Sequence, residues 1–70
     1  MSSNIVIRVD ASREIGYGHI SRCIVLAEAL ESKFNITFVS KLMPEALIQR
    51  IISSGFNFIK IDNHHNLTMF

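Results

Sequence analysis

Gly16, Tyr17, Gly18 and His19 follow one another in the chain, with Asp10 and Ser12 just before them and Arg22 three residues after. Each of these residue types offers a different piece of chemistry. A neutral imidazole titrates near physiological pH, so His19 can take a proton from an attacking water. Glycines allow sharp turns and let a ligand approach the backbone closely. If a helix starts at this point, its free N–H groups suit a phosphate or another anion. Arg22, one turn in, would add a charge. Asp10 has two candidate roles, orienting the histidine or binding a ligand hydroxyl. Asp10 and Ser12 equally suit plain turn residues that bond to nearby backbone N–H groups. Tyr17 either shields the loop or stacks on a ligand.

The flanking segments must position these groups. Residues 5–9 are β-branched and apolar apart from Arg8, which reads as a buried strand. An arginine there needs a partner, and Asp10 is the candidate. Residues 20–33 show helical spacing, with Ile20, Cys23, Ile24, Ala27, Leu30 and Phe34 on one stripe. Val25, Leu26 and Ala29 widen the stripe and predict a helix covered on more than one side. Cys23 on this stripe reads as a small hydrophobe. Residues 35–40 form a second strand. Pro44 and Glu45 suit the first turn of a second helix, and Gly55 suits its left-handed end. Residues 56–61 alternate as a third strand, and the last nine residues show no clear period.

The order is therefore β-α-β-α-β, with parallel strands and right-handed crossovers. The expected fold class is α/β with a Rossmann-like parallel sheet. Ligands in such sheets bind beyond the carboxyl ends of the strands, where the glycine–histidine segment falls. Two helices on one face leave the other bare, although parallel sheets are normally covered on both. The chain thus reads as a partial domain, residues 1–70, whose expected fourth strand and later helices are missing.

Two common phosphate motifs fit poorly. A dinucleotide fingerprint, G-x-G-x-x-G, needs a third glycine where Ser21 stands and an acidic residue after the second strand, where Lys41 stands. A P-loop needs G-K-[ST] after its glycines, and none follows. A nucleotide-sugar loop with a catalytic histidine fits better.

Arg8-x-Asp10-x-Ser12-x-x-Ile15-Gly16-x-Gly18-His19-Ile20-x-Arg22, followed by Leu26-Ala27, resembles the start of the UDP-sugar hydrolases of pseudaminic acid biosynthesis. Those enzymes act on UDP-2,4-diacetamido-2,4,6-trideoxy-β-L-altropyranose. Spore-coat polysaccharide proteins with this N-terminal pattern are similar. The match is dense over residues 8–27, while residues 28–62 agree only in alternating strands and helices. The resemblance implies a two-domain glycosyltransferase-B architecture with substrate in the cleft and most uridine contacts in the C-terminal domain. It implies that His19 is the general base and that Gly16, Tyr17, Gly18, Arg22, Asp10 and Ser12 surround the substrate. No metal or cofactor is implied. A glycosyltransferase of the same architecture would deliver an acceptor hydroxyl where the hydrolase delivers water.

Composition narrows the remaining classes. The formal net charge is +1, without the basic stripe of a nucleic-acid binder. Cys23 is the sole cysteine, so no internal disulfide forms. No basic segment precedes an apolar one at the start, and no apolar run reaches the ~20 residues that cross a bilayer. The expected location is the cytoplasm. His64 and His65 lack further ligands nearby and read as solvated. Hydrophobic residues make up 49% of the 70-residue chain, rich for so short a domain. A truncated or split remnant that needs a partner chain is therefore an alternative to the enzyme, as is a small phosphate-binding module.

Overall fold

The computed structural model describes residues 3–61 and 67–69. Strand β1 (Ser3–Arg8) leads through a loop to helix α1 (Gly18–Leu30). Strand β2 (Phe34–Ser40), helix α2 (Glu45–Ser53) and strand β3 (Asn57–Ile61) follow. A short strand β4 (Leu67–Met69) completes a sheet of order β1-β2-β3-β4. β1, β2 and β3 run parallel, and β4 pairs antiparallel with β3. The result is a small α/β unit, three parallel strands and two helices in a Rossmann-like arrangement.

Register explains the core. Ile7 lies beside Phe38, and Phe38 beside Phe58. Residues with the same alternation on β1 and β2 share this face, and Ile36, Phe38 and Ser40 are buried there. From α1, Ile20, Ile24 and Ala27 join the same cluster, and from α2, Ile48 and Ile51. The rings of Phe38 and Phe56 meet at 5.7 Å between centroids, tilted by 45°, a favourable aromatic geometry. Each fully buried large side chain contributes roughly 1.5–3 kcal/mol, so the face holding Phe38 and Phe58 sets the register of the strands.

The opposite face has no covering element among the described residues. It carries Val6, Arg8, Val39, Ile59 and Ile61, none of them buried. Arg8 accordingly differs from expectation. β1 is an edge strand and Arg8 points to the uncovered face, so its side chain is 49% exposed rather than buried. Its partner is Asp10.

The helices begin and end as their sequences dictate, with small shifts. α1 starts at Gly18 and stops at Leu30, two residues earlier and three earlier than the apolar spacing alone indicates. The periodic stripe marks only the buried turns, whereas the first turn is set by the loop before it. Val25 and Leu26 are exposed rather than covered, for no described element lies over them. Pro44 is the N-cap of α2, and its carbonyl accepts from the N–H groups of Leu47 and Ile48. Glu45 accepts from the Gln49 amide one turn on, at 3.2 Å. Gly55 has φ 91°, the left-handed end expected of it. β4 escaped the sequence reading, because three residues are too few to show a period. His64 and His65 lie outside the described residues.

Candidate functional site

The loop between β1 and α1 is built on a local turn. The Gly16 N–H donates to the Ser12 carbonyl at 2.7 Å. The Ile15 N–H donates to Ser12 Oγ at 3.1 Å. Ser12 therefore organises the turn through both its backbone and its hydroxyl. Gly16 closes it with φ 91°, a conformation that an L side chain rarely adopts. Gly18 behaves differently. It is the first residue of α1 with ordinary helical geometry, so its glycine is not needed for the turn.

The start of α1 is bare. Tyr17 occupies the N-cap position without a side-chain cap, and the first turn holds no acidic residue. The Ser21 N–H donates to the Tyr17 carbonyl at 3.1 Å. The amides of Gly18, His19 and Ile20 precede that bond and carry the positive end of the helix dipole. Arg22 folds back toward them: a Cβ placed on Gly18 would sit 3.9 Å from Arg22 Nη2. His19 is exposed in this first turn, with Nε2 4.0 Å from the sulfur of Cys23. Helix amides, a guanidinium and an imidazole thus share one exposed corner.

Asp10 ties this loop to the next one. Its Oδ1 accepts from Arg8 Nη1 at 2.7 Å, Ser40 Oγ at 2.9 Å, the Lys41 N–H at 2.8 Å and the Leu42 N–H at 3.1 Å. The Arg8 hydrogen bond holds its carboxyl well below the ordinary 3.8. Desolvation opposes this, and the Leu42 and Lys41 amides and the Ser40 hydroxyl add to the lowering. Ser40 is fully buried, and its single hydroxyl proton is shared between Asp10 Oδ1 and the Leu42 carbonyl, which lies 2.8 Å from Oγ. That same carbonyl accepts from the Ala11 N–H at 2.8 Å. His19 is not among the partners of Asp10, and Oδ2 takes no part in these four bonds.

Between the two loops lies a cleft of about 600 Å³ beyond the carboxyl ends of β1 and β2. Ser12, Arg13, Glu14 and Tyr17 line one side, and Leu42, Met43 and Pro44 the other, with Ala11 at its base. Of the residues singled out from sequence, Ser12 and Tyr17 enter the cleft. Gly18, His19 and Arg22 stand at the helix corner beside Tyr17, and Asp10 supports both loops. Arg13 and the apolar wall of Leu42, Met43 and Pro44 were not found from sequence. Their only signal was position after a strand, which becomes informative once β2 is known to lie beside β1.

No known protein family, no curated protein and no solved structure matches this chain. Among the described residues, no three histidine, cysteine or acidic side chains gather as a metal site. No described helix is long and apolar enough to cross a membrane.

Proposed function

We propose that this chain is the N-terminal part of a UDP-sugar hydrolase of glycosyltransferase-B architecture, with His19 as its general base. The observation that carries this reading is the uncapped start of α1, where Gly18, His19 and Arg22 stand next to Tyr17, a residue of the cleft wall. Three free amides and a guanidinium favour a diphosphate. An exposed imidazole beside them can serve a water. The cleft between Tyr17 and Leu42 accommodates a sugar ring.

The reaction follows from these parts. A water oxygen attacks the anomeric carbon, and its proton passes to the His19 imidazole. The bond from that carbon to the diphosphate oxygen breaks, and UDP leaves with the electron pair. The helix amides and Arg22 stabilise charge that builds on the leaving diphosphate. Uridine contacts fall to a nucleotide-binding domain or partner chain, and no metal takes part. The substrate class, a UDP-activated diacetamido-trideoxyhexose, is what the resemblance over residues 8–27 implies.

Titration of the 70-residue chain with UDP, followed through backbone amide resonances, tests the anion corner. Gly18, His19 and Ile20 are expected to shift at millimolar UDP while Asn57 stays put. Resonances of the α1 start that do not move would end this reading.

A further inference from the structure

We propose that His19 and Cys23 together hold a soft divalent cation of the zinc and cadmium class. Both stand on α1, His19 as its second residue and Cys23 one turn later. Residues at i and i+4 lie one above the other on a helix, and each Cα–Cβ bond tilts toward the N-terminus. The Cys23 side chain therefore reaches back to the imidazole, and Sγ lies 4.0 Å from His19 Nε2. His19 is exposed and Cys23 is half-buried at the margin of the core, so an ion reaches both from solvent.

The spacing suits a shared ion. Zinc binds imidazole nitrogen at about 2.0 Å and thiolate sulfur at about 2.3 Å, which at a tetrahedral angle sets the two atoms about 3.6 Å apart. The observed separation is about 0.4 Å longer, a gap that small torsions of two side chains close without moving the helix. On binding, the thiol releases its proton to solvent, the sulfur lone pair takes one coordination position and the Nε2 lone pair takes the next. The imidazole proton then sits on Nδ1.

The donor set selects the ion. Thiolate and imidazole favour zinc and its soft relatives, whereas magnesium and calcium require oxygen ligands. The first turn of α1 holds no acidic residue, and among the described residues no third histidine, cysteine or carboxylate joins the pair. Water completes the coordination. The thiolate offsets one of the ion's two charges, which limits repulsion from Arg22 and from the positive end of the helix. With two protein ligands where a structural site has four, the affinity is on the order of 10 μM.

The ion takes no part in hydrolysis. If His19 is the general base, an ion on Nε2 occupies the lone pair that would accept the proton, so zinc is an inhibitor. That consequence rests on the proposed function, while the site itself does not. The UDP titration reads the helix amides, so the two readings can fail separately.

Titration of the reduced 70-residue chain with Cd²⁺ and Zn²⁺ tests the site. The expected result is one ion per chain, a thiolate-to-cadmium band in the ultraviolet, and shifts of the His19 ring and Cys23 β-carbon resonances that saturate together. Mg²⁺ at ~1 mM should move neither. His19→Gln and Cys23→Ser should each weaken binding at least tenfold. His19 is exposed, so its variant keeps the test decisive even if Cys23→Ser disturbs the fold. Replacing His64 and His65 with glutamine should leave the affinity unaltered. Binding that survives His19→Gln assigns the ion to the thiol alone, and binding lost with His64 and His65 assigns it elsewhere. Either result overturns the proposal, as does the absence of a cadmium band at ~1 mM Cd²⁺.

Discussion

The carboxylate of Asp10 accepts the Ser40 hydroxyl at 2.9 Å, across 30 residues of chain. This contact joins the ends of two neighbouring strands. It makes the loop after β1 and the loop after β2 parts of one structure, since the Lys41 and Leu42 amides close on the same oxygen.

Removing that oxygen should be costly. Asp10→Ala is expected to lower the stability of the chain by roughly 1–2 kcal/mol, because Arg8 and the Lys41 and Leu42 amides lose their common acceptor, while the buried Ser40 hydroxyl keeps the Leu42 carbonyl. Asp10→Asn retains an acceptor and should lose about 1 kcal/mol. Urea unfolding measures both. Equal, negligible losses would mean that Asp10 does not hold the loops.

Acid should act through the same group. A carboxyl depressed below its ordinary 3.8 stabilises the fold fully above that value. The contribution is lost progressively as pH falls below 3.8 toward the folded-state value. The urea midpoint should therefore drop between about pH 4 and pH 2, and Asp10→Asn should flatten that limb. An acid limb unchanged in the variant would assign it to other carboxylates.

The two glycines of the loop should respond in opposite ways. Gly16→Ala forces a side chain into φ 91° and is expected to cost roughly 1–2 kcal/mol, although nothing crowds the position. Gly18→Ala sits in ordinary helix with only Arg22 nearby, and should gain up to about 1 kcal/mol. Thermal melts of the two variants decide this, and matching losses would mean that both glycines are needed for the turn.

His19 is exposed, so His19→Ala should leave stability within about 0.5 kcal/mol of the parent. Within a complete UDP-sugar hydrolase the same change should lower kcat by roughly 10²–10⁴ with little change in KM. Near-normal turnover would remove His19 as the base.

Much of the fold was legible because burial leaves a period. Ile36, Phe38 and Ile20, Ile24, Ala27 repeat at the spacings of a strand and a helix, and Gly55 marks its turn by type alone. The start of α1 was less legible, since Gly18 and His19 are exposed and lie outside any apolar stripe. β4 left no trace in so few residues. In the site, Gly16, Gly18, His19 and Arg22 could be read from adjacency. The role of Asp10 as an anchor for residues 40–42 could not, because it depends on two strand ends becoming neighbours. Leu42 and Met43 are invisible for the same reason.

The four bonds on Asp10 Oδ1 also bear on how a ligand would be received. Flexible loops must be ordered when something binds, at about 0.5–1.5 kcal/mol for each immobilised side chain. Here the ordering is already done by a carboxylate and a buried serine that tie together the two loops bounding the cleft. The site is preorganised, and much of the entropy that binding would otherwise consume has been surrendered during folding.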